Sequence, residues 1–419
     1  MIKKRTTIRP FEFVLGVIIL YTVMPIVSQL FSDFLTTYAY MALLLGAVVF
    51  TMAIRGTASL AESILVLLPF VFWMFLELLT KDQQLLLWGY SSMLMLAPIL
   101  FGVLLMRESG PKVVRFLAIV LAISVLVTTI TTIIGSTIYP DAARYLATVS
   151  SADDPLLRMY NYLNLGGYEF VYTCILLYPL AIFAYKQKRL HLIWAILAAV
   201  LMLALALNSG YTTAFLLWMA TTATFFLSKK LNKRGVLFLL IVTILAIILF
   251  FTLFSSGIKS LAKLVDNEDI AYRLEALSGG SEGIRASEDD RISLYELSLK
   301  AFFKSPLIGN ILGSGGGNGG HSFILDLAAQ YGLIGVILLI VMYRVLFVRF
   351  YKPFERVQGY GYILWMFLQT LILSTVNTGM WINILAWFIP LSVTAILQTR
   401  KREDILLDNI KKTAERRAR

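Results

Sequence analysis

The chain alternates long apolar blocks with short polar segments, and this pattern predicts a polytopic helical membrane protein. Each block is about 20 residues long, so one helix can cross a hydrocarbon core of ~30 Å. We therefore predict an all-α fold with about 12 transmembrane helices. The predicted spans cover residues 11–31, 34–53, 59–79, 84–105, 113–138, 168–185, 190–208, 211–228, 235–257, 322–348, 360–377 and 380–399.

Two connecting segments are too long to be simple connectors. They are residues 139–167 and 258–320, and both are predicted to be external loops. Residues 1–399 are predicted to form a single integral membrane domain, and residues 400–419 a basic cytoplasmic tail.

Composition and charge agree with this architecture. Of the 419 residues, 58% are hydrophobic and 15% are charged, whereas a soluble domain carries about 25% charged residues. The net charge of +12 does not indicate a nucleic-acid partner, because most lysines and arginines lie in short segments at alternate ends of the spans. Basic loops face the cytoplasm, so both termini are predicted to be cytoplasmic. The single cysteine, Cys174, lies in an apolar block, which excludes a disulfide framework.

The first external segment, 139–167, has the composition of a sugar-binding surface. It combines a basic residue with tyrosine and asparagine side chains, namely Arg158, Tyr160, Asn161, Tyr162 and Asn164. Tyrosine rings stack on the apolar faces of sugars, and amides bond their hydroxyl groups. We predict that Arg158 and Tyr160 bind substrate. An aromatic belt at the membrane interface is the alternative explanation of the same residues.

The second external segment, 258–320, combines basic residues with a glycine run. Its arginines include Arg273, Arg285 and Arg291. Guanidinium groups match the oxygens of a diphosphate, although a solvated loop charge is the alternative for each. The amphipathic stretch ISLYELSLKAFF predicts a helix on the membrane surface. Backbone amides at Gly316 and Gly317 are suited to cradling a phosphate beside a helix start.

A histidine follows the glycine run and begins the tenth predicted span. His321 has no cysteine partners for an ordinary zinc site, and no metal is expected. Its imidazole is suited to proton transfer near neutral pH; a residue that only starts the helix is the alternative. Asp326 shares a helix face with Gln330, and an acid at this depth predicts either function or polar packing. We predict that Asp326 binds substrate. Gly332 and Gly335 predict the close approach of a neighbouring segment.

Residues 291–335 resemble the O-antigen polymerase and O-antigen ligase superfamily of bacterial envelope glycosyltransferases. The family pattern is an arginine, an amphipathic stretch, Pro-Leu-x-Gly, a glycine-rich segment, and a histidine that opens a helix with spaced acids and glycines. The matching positions are Arg291, Pro306-Leu307-Ile308-Gly309, the glycine run to Gly320, His321, Asp326, Gln330, Gly332 and Gly335. Ser322 and Gln330 stand where the family more often has an asparagine and an acid.

The resemblance implies glycosyl transfer at the external face of a bacterial plasma membrane. The implied donor is a polyprenyl-diphosphate-linked oligosaccharide, with no metal, nucleotide or other cofactor. The resemblance also implies that Arg291 holds the leaving diphosphate, and that His321 is the base for the acceptor hydroxyl or assists the diphosphate. A flippase and a chain-length regulator of the same pathway are the implied protein partners.

Within this family the residues favour a polymerase that joins lipid-linked repeat units into capsule, exopolysaccharide or O-antigen. A ligase that moves glycan to a different acceptor is the alternative. Ligases carry a Ser-Arg pair before span 8, and this pair is absent from Asn208-Ser209-Gly210-Tyr211. A flippase or transporter of lipid-linked sugar is the alternative of a different class. Such proteins often contain internal repeats, and we find no repeat in this sequence.

Overall fold

The structure, a computed structural model, describes residues 10–34, 110–140, 142–148, 154–227, 233–249, 260, 263, 282–310, 319–320, 322–377, 379 and 381–398. This part is 85% helical and contains no strand, so the all-α prediction is confirmed for it. The helices are α1 (Pro10–Val23), α2 (Pro25–Phe34), α3 (Pro111–Ile138), α4 (Ala142–Thr148), α5 (Pro155–Tyr162), α6 (Tyr168–Leu177), α7 (Pro179–Lys186), α8 (Leu192–Ser209), α9 (Thr212–Leu227), α10 (Lys233–Leu249), α11 (Glu282–Lys304), α12 (Phe323–Leu346), α13 (Tyr360–Val376) and α14 (Ile384–Gln398).

Several helices are long and apolar enough to cross a membrane, which indicates a membrane protein. Within the described residues there are four: α3, α6 together with α7, α8, and α12 with its continuation to Phe354. Counting the bent pair of α1 and α2 as one span makes five. Shorter apolar helices lie at Arg234–Leu245, Tyr360–Val376 and Ile384–Gln398. The predicted spans at 34–53, 59–79 and 84–105 lie outside the described residues.

Two of the predicted spans are bent. α1 and α2 meet at an angle of 106° at Pro25, because proline has no amide hydrogen to continue the helical ladder. α12 is broken at Gly332, whose backbone (φ 61°, ψ −154°) is not helical. The prediction of one continuous helix over 322–348 is correct at its start and wrong in its middle.

The core lies where α6 and α7 pass between the other helices. Ile175, Leu176 and Phe183 are fully buried there, and they belong to one hydrophobic cluster with Trp365 of α13 and Trp387 of α14. α3 packs against α1 and α8, while α13 packs against α7 and α10. The outward side chains of α3 and α8 are largely apolar and exposed, as expected for helix surfaces that meet lipid.

The helix ends collect at two chemically different ends of the bundle. At one, which we call the aromatic end, the start of α6 meets the α8–α9 turn and the loop before α14. The ring centroid of Tyr168 lies 5.2 Å from that of Tyr211 and 6.3 Å from that of Trp381. Tyr211 also donates a hydrogen bond to the carbonyl of Ala143 (2.7 Å), so the predicted external segment 139–167 lies at this end.

The other end, which we call the basic end, is formed by the loops after α7 and before α13. The Gln187 amide donates to the carbonyl of Gln358, and the Lys186 ammonium lies 5.0 Å from the centroid of the Phe225 ring. Lys186 ends α7, and the two loops carry Lys188, Arg189, Lys352 and Arg356. Helix ends that the charge pattern predicts on one side of the membrane therefore lie at one end of the bundle.

Candidate functional site

The start of α12 is fastened to the end of α13. Ser322 is the N-cap of α12, and its hydroxyl accepts a hydrogen bond from the Leu325 amide (3.3 Å). The same hydroxyl donates to the Thr375 carbonyl (2.7 Å), and the Phe323 amide donates to the Asn377 carbonyl (2.9 Å). The helix that follows His321 in the sequence therefore begins at a fixed point of the aromatic end.

The carboxylate of Asp326 is the centre of this site. One oxygen accepts hydrogen bonds from the Ser298 hydroxyl (2.6 Å) and the Gly320 amide (3.2 Å), and the other from the Ser322 amide (3.2 Å). The side chain is 8% exposed. These contacts show polar packing of Asp326 within the protein, and substrate binding by this carboxylate stays a prediction. The carboxylate holds the backbone on both sides of position 321.

Ser298 connects the amphipathic helix to the glycine segment. Its hydroxyl donates to Asp326 and accepts from the Gly319 amide (2.8 Å). The same helix, α11, is also linked to the end of α13, because the hydroxyl of Tyr295 donates to the Val376 carbonyl (3.3 Å). The helix predicted for ISLYELSLKAFF is confirmed as part of α11, and it packs against α12. Sequence reasoning missed Ser298, whose only signal is a hydroxyl on the face of this helix that becomes buried.

The break in α12 is filled by the Pro306–Gly309 turn. The amides of Leu333 and Ile334 have no helical acceptors at the break, and they donate to the carbonyls of Pro306 (2.8 Å) and Leu307 (3.3 Å). A Cβ on Gly332 would lie 2.5 Å from the Leu307 carbonyl. The predicted close approach at Gly332 is therefore observed, and the approaching segment is the Pro-Leu-x-Gly motif.

The first predicted external segment, 139–167, uses its polar side chains within the protein. Arg158 donates to the carboxylate of Asp33 (2.9 Å), and its side chain is 46% exposed. The hydroxyl of Tyr162 donates to the same carboxylate, and this hydrogen bond raises the pKa of Tyr162. The amide of Asn161 donates to the Gln29 side chain (2.9 Å). These contacts attach α5 to α2.

Two further residues of this segment lie inside the fold. Tyr160 is 9% exposed and packs against Tyr139 and Tyr145, with ring centroids 5.6 and 5.8 Å apart. Its ring therefore offers little surface for a sugar. Asn164 donates to the hydroxyl of Thr128 on α3 (3.0 Å) and accepts from the Ile26 amide of α2 (3.3 Å). Sugar binding by Arg158 and Tyr160 stays a prediction.

A capping residue holds the start of α5. Asp154 accepts hydrogen bonds from the amides of Leu156 (2.8 Å) and Leu157 (3.0 Å) and from the Tyr145 hydroxyl (2.8 Å). The bond from Leu157, followed by that from Tyr145, lowers the pKa of Asp154. The bond to the carboxylate in turn raises the pKa of Tyr145.

The remaining predicted site residues belong to the second segment. Arg285 and Arg291 lie in α11, whose side chains are described from Ser293 onward. Arg291 precedes Ser298 by two helical turns and so occupies the same face of α11, about 10.5 Å away along the axis. Four predicted residues lie outside the described part of the chain: Arg273, Gly316, Gly317 and His321. Within that part, no group of three or more His, Cys, Asp or Glu side chains could hold a metal ion.

In comparisons with known proteins, no family model matches the chain and no curated protein matches it.

Proposed function

We propose that the chain is a polysaccharide polymerase that transfers glycan from a polyprenyl-diphosphate-linked donor to a lipid-linked repeat unit. The observation that carries this proposal is the Asp326 carboxylate, which binds the amides of Gly320 and Ser322. His321 stands between these two residues in the sequence. An enzyme that relies on one imidazole needs the backbone around it held in place, because catalysis by proton transfer depends on geometry first.

The proposed reaction needs one base and one anion-binding group. The acceptor hydroxyl oxygen attacks the anomeric carbon of the donor sugar, and His321 takes its proton. The bond from that carbon to the diphosphate breaks, and the diphosphate leaves with the electron pair. Arg291 stabilises the charge that develops on it, with Arg285, Arg273 and the amides of Gly316 and Gly317 as further donors. No step requires a metal ion.

In this proposal the aromatic end is external and the basic end is cytoplasmic. Support comes from the positive-inside rule and from the clustering of Lys186, Lys188 and Arg189 with Lys352 and Arg356. The same rule places both termini in the cytoplasm, which agrees with the about 12 spans that the apolar blocks predict. The site around Asp326 would then meet a lipid-linked substrate at the outer leaflet of a bacterial plasma membrane.

The test is polymer formation by purified variants in liposomes that contain the lipid-linked repeat unit as sole substrate. His321→Ala should reduce the rate by on the order of 10²-fold or more, the usual loss when a general base is removed. Arg291→Lys should also impair turnover, because lysine lacks the planar fork. His191→Ala is the matched control: His191 caps α8 at the basic end, and its loss should leave the rate unchanged. Polymer formation by His321→Ala at the wild-type rate would refute the proposed base.

The same assay separates polymerase from ligase and tests for metal. A polymerase lengthens the lipid-linked repeat unit when no other acceptor is present, whereas a ligase requires a second acceptor. Chelation of divalent metal should leave the rate unchanged. A stoichiometric metal requirement would make His321 a candidate ligand and remove it from the role of base.

A flippase is the second candidate, and the bent helices favour it. Transporters often bind substrate at broken membrane helices, and this chain has breaks at Pro25 and Gly332. At Gly332, however, the Pro306–Gly309 turn occupies the break. Movement of labelled lipid-linked oligosaccharide across liposomes, without growth of the glycan, would favour the flippase.

A further inference from the structure

Four aromatic rings converge beside the Asp326 site from three parts of the chain. Tyr168 and Tyr172 come from α6, Tyr211 from the α8–α9 turn, and Trp381 from the loop before α14. The ring centroid of Tyr172 lies 5.7 Å from that of Tyr211 and 5.7 Å from that of Trp381. The centroids of Tyr168 and Tyr172 are 4.7 Å apart. Tyr172 and Trp381 are buried, while Tyr168 and Tyr211 are partly exposed. The cluster is thus closed on the side of Tyr172 and Trp381 and partly accessible at Tyr168 and Tyr211.

Two hydrogen-bond donors between α13 and α14, the segment that carries Trp381 into this cluster, have no partner among the described residues. They are the indole nitrogen of Trp381 and the amide nitrogen of Asn377. Both side chains are only 8% exposed. Buried donors in native proteins are nearly always hydrogen-bonded to protein, water or ligand. Two such donors within five residues of one another therefore indicate an acceptor beyond the described residues, and a bound ligand can supply it.

The backbone at Trp381 points to the same conclusion. Its φ is +52°, which is unfavourable for a bulky residue and persists only where the surroundings enforce it. The chain therefore keeps this indole in the cluster at a conformational cost. Such cost is concentrated at ligand-binding and catalytic positions.

The cluster lies next to the start of α12. The Asn377 carbonyl accepts from the Phe323 amide (2.9 Å), two residues after His321, and Ser322 bonds to Thr375 (2.7 Å). A ligand that bound the Asn377 amide and the Trp381 indole would therefore sit beside the start of α12, which follows the proposed catalytic histidine in the sequence.

We propose that Tyr168, Tyr172, Tyr211, Trp381 and Asn377 bind a neutral sugar ring, the one that carries the acceptor hydroxyl. Aromatic rings contact the apolar face of a sugar, and N–H groups donate to its hydroxyl oxygens. The donors are uncharged, which suits a hydroxyl better than a diphosphate. This inference rests on the proposed function and adds the acceptor site to it.

The direct test measures sugar binding without turnover. Full-length protein in nanodiscs is titrated with methyl glycosides of glucose, galactose, N-acetylglucosamine and N-acetylgalactosamine, and saturation-transfer NMR reports binding. At least one glycoside should bind. Trp381→Phe and Asn377→Leu should each raise its Kd by roughly 3- to 10-fold, the effect of losing one neutral hydrogen bond.

A matched control separates loss of the donor from loosening of the fold. Trp387→Phe makes the same exchange at a buried indole farther along α14, and it should leave the Kd unchanged. Absence of binding by all four glycosides to the wild-type protein would overturn the proposal. Equal loss of affinity in Trp381→Phe and Trp387→Phe would also overturn it, and so would wild-type affinity in Trp381→Phe.

A second measurement distinguishes failure of this inference from failure of the proposed function. Under polymerising conditions, Trp381→Phe should raise the KM for the lipid-linked acceptor and leave kcat nearly unchanged, whereas His321→Ala should lower kcat. If the wild-type protein binds glycosides through Trp381 but makes no polymer, the proposed function fails and the sugar site remains. If polymer forms with an unchanged KM in Trp381→Phe, the sugar site fails and the polymerase remains.

Discussion

The two predicted external segments, 139–167 and 258–320, use their polar groups in opposite ways. In the first, side chains bond mainly to other side chains and hold α2, α3 and α5 together, as Arg158 does with Asp33. At the second, the buried side chains of Ser298 in the segment and of Asp326 in the following helix α12 bond to backbone amides of the glycine segment and of the α12 start. The contacts of the first segment hold helices together. Those of the second hold the backbone of residues on both sides of His321 in the sequence.

This difference teaches that a loop's composition does not identify the loop that binds substrate. The tyrosines and asparagines of the first segment look like a sugar-binding surface in the sequence. In the structure most of their polar atoms have protein partners. Tyr168, Tyr211 and Trp381, which stand singly in the sequence, form the aromatic cluster, and the indole nitrogen of Trp381 has no partner among the described residues.

The largest effect on turnover is expected at Asp326, where the positioning role of the second segment can be tested. Asp326→Asn replaces one acceptor oxygen with an NH₂ group, which cannot accept from the amides it faces. The polymerisation rate should fall by on the order of 10²-fold, as expected when reacting groups are displaced by about 1 Å. The pH–rate profile should keep its shape while its height falls, because the base itself is unchanged. A rate near that of the wild-type protein would show that Asp326 only packs.

The next largest effect is expected in stability at Gly332. Gly332→Ala places a Cβ 2.5 Å from the Leu307 carbonyl at a φ of +61°; the backbone strain alone costs about 1–3 kcal/mol. Thermal unfolding in detergent should show a lower Tm. The control is Gly110→Ala, since Gly110 has an ordinary φ of −64° and a Cβ added there would meet no atom of the described residues within 4 Å. Equal Tm values for the two variants would contradict the observed interlock with the Pro306–Gly309 turn.

A smaller decrease in Tm is expected for a change at Asp33. This change tests whether the first segment serves only to hold α5 against α2. Asp33→Asn removes the ion pair with Arg158 and weakens the bond from Tyr162. Exposed ion pairs contribute little to stability, so the Tm should fall less than in Gly332→Ala. Turnover should be unchanged. A large loss of turnover with a normal Tm would instead assign the first segment to substrate binding.

The smallest expected effect is a pH-dependent change in Tm, caused by Asp154, the N-cap of α5. The pKa of Asp154 is lowered from 3.8 by its hydrogen bonds, so its ionised form stabilises the folded state above that value. This contribution is lost as the pH falls through the lowered pKa. The Tm difference between the wild-type protein and Asp154→Asn should therefore be largest near neutral pH and shrink on acidification below 3.8. A difference that is constant with pH would contradict this.

The sequence predicted what depends on local pattern. The helix over ISLYELSLKAFF follows from its periodicity, and the start of α12 follows from the serine and the apolar run after the glycines. The break at Gly332 could not be predicted, because the carbonyls that satisfy its amides come from Pro306 and Leu307, more than 20 residues earlier. The same holds for Ser298 and Asp326, which are 28 residues apart. Hydropathy indicates whether a residue favours an apolar environment, but it does not indicate which distant segment of the chain packs against that residue.

The break at Gly332 also changes how deep the site lies. Phe323–Phe354 contains 32 residues, about 48 Å of helix at 1.5 Å per residue, which exceeds a hydrocarbon core of ~30 Å. The part after the break, Leu333–Phe354, is about 33 Å long and suffices to span that core alone. The part before it, with Asp326 and Gln330, can then stand in the headgroup layer. Asp326, which hydropathy places inside a span, then needs no place in the hydrocarbon core.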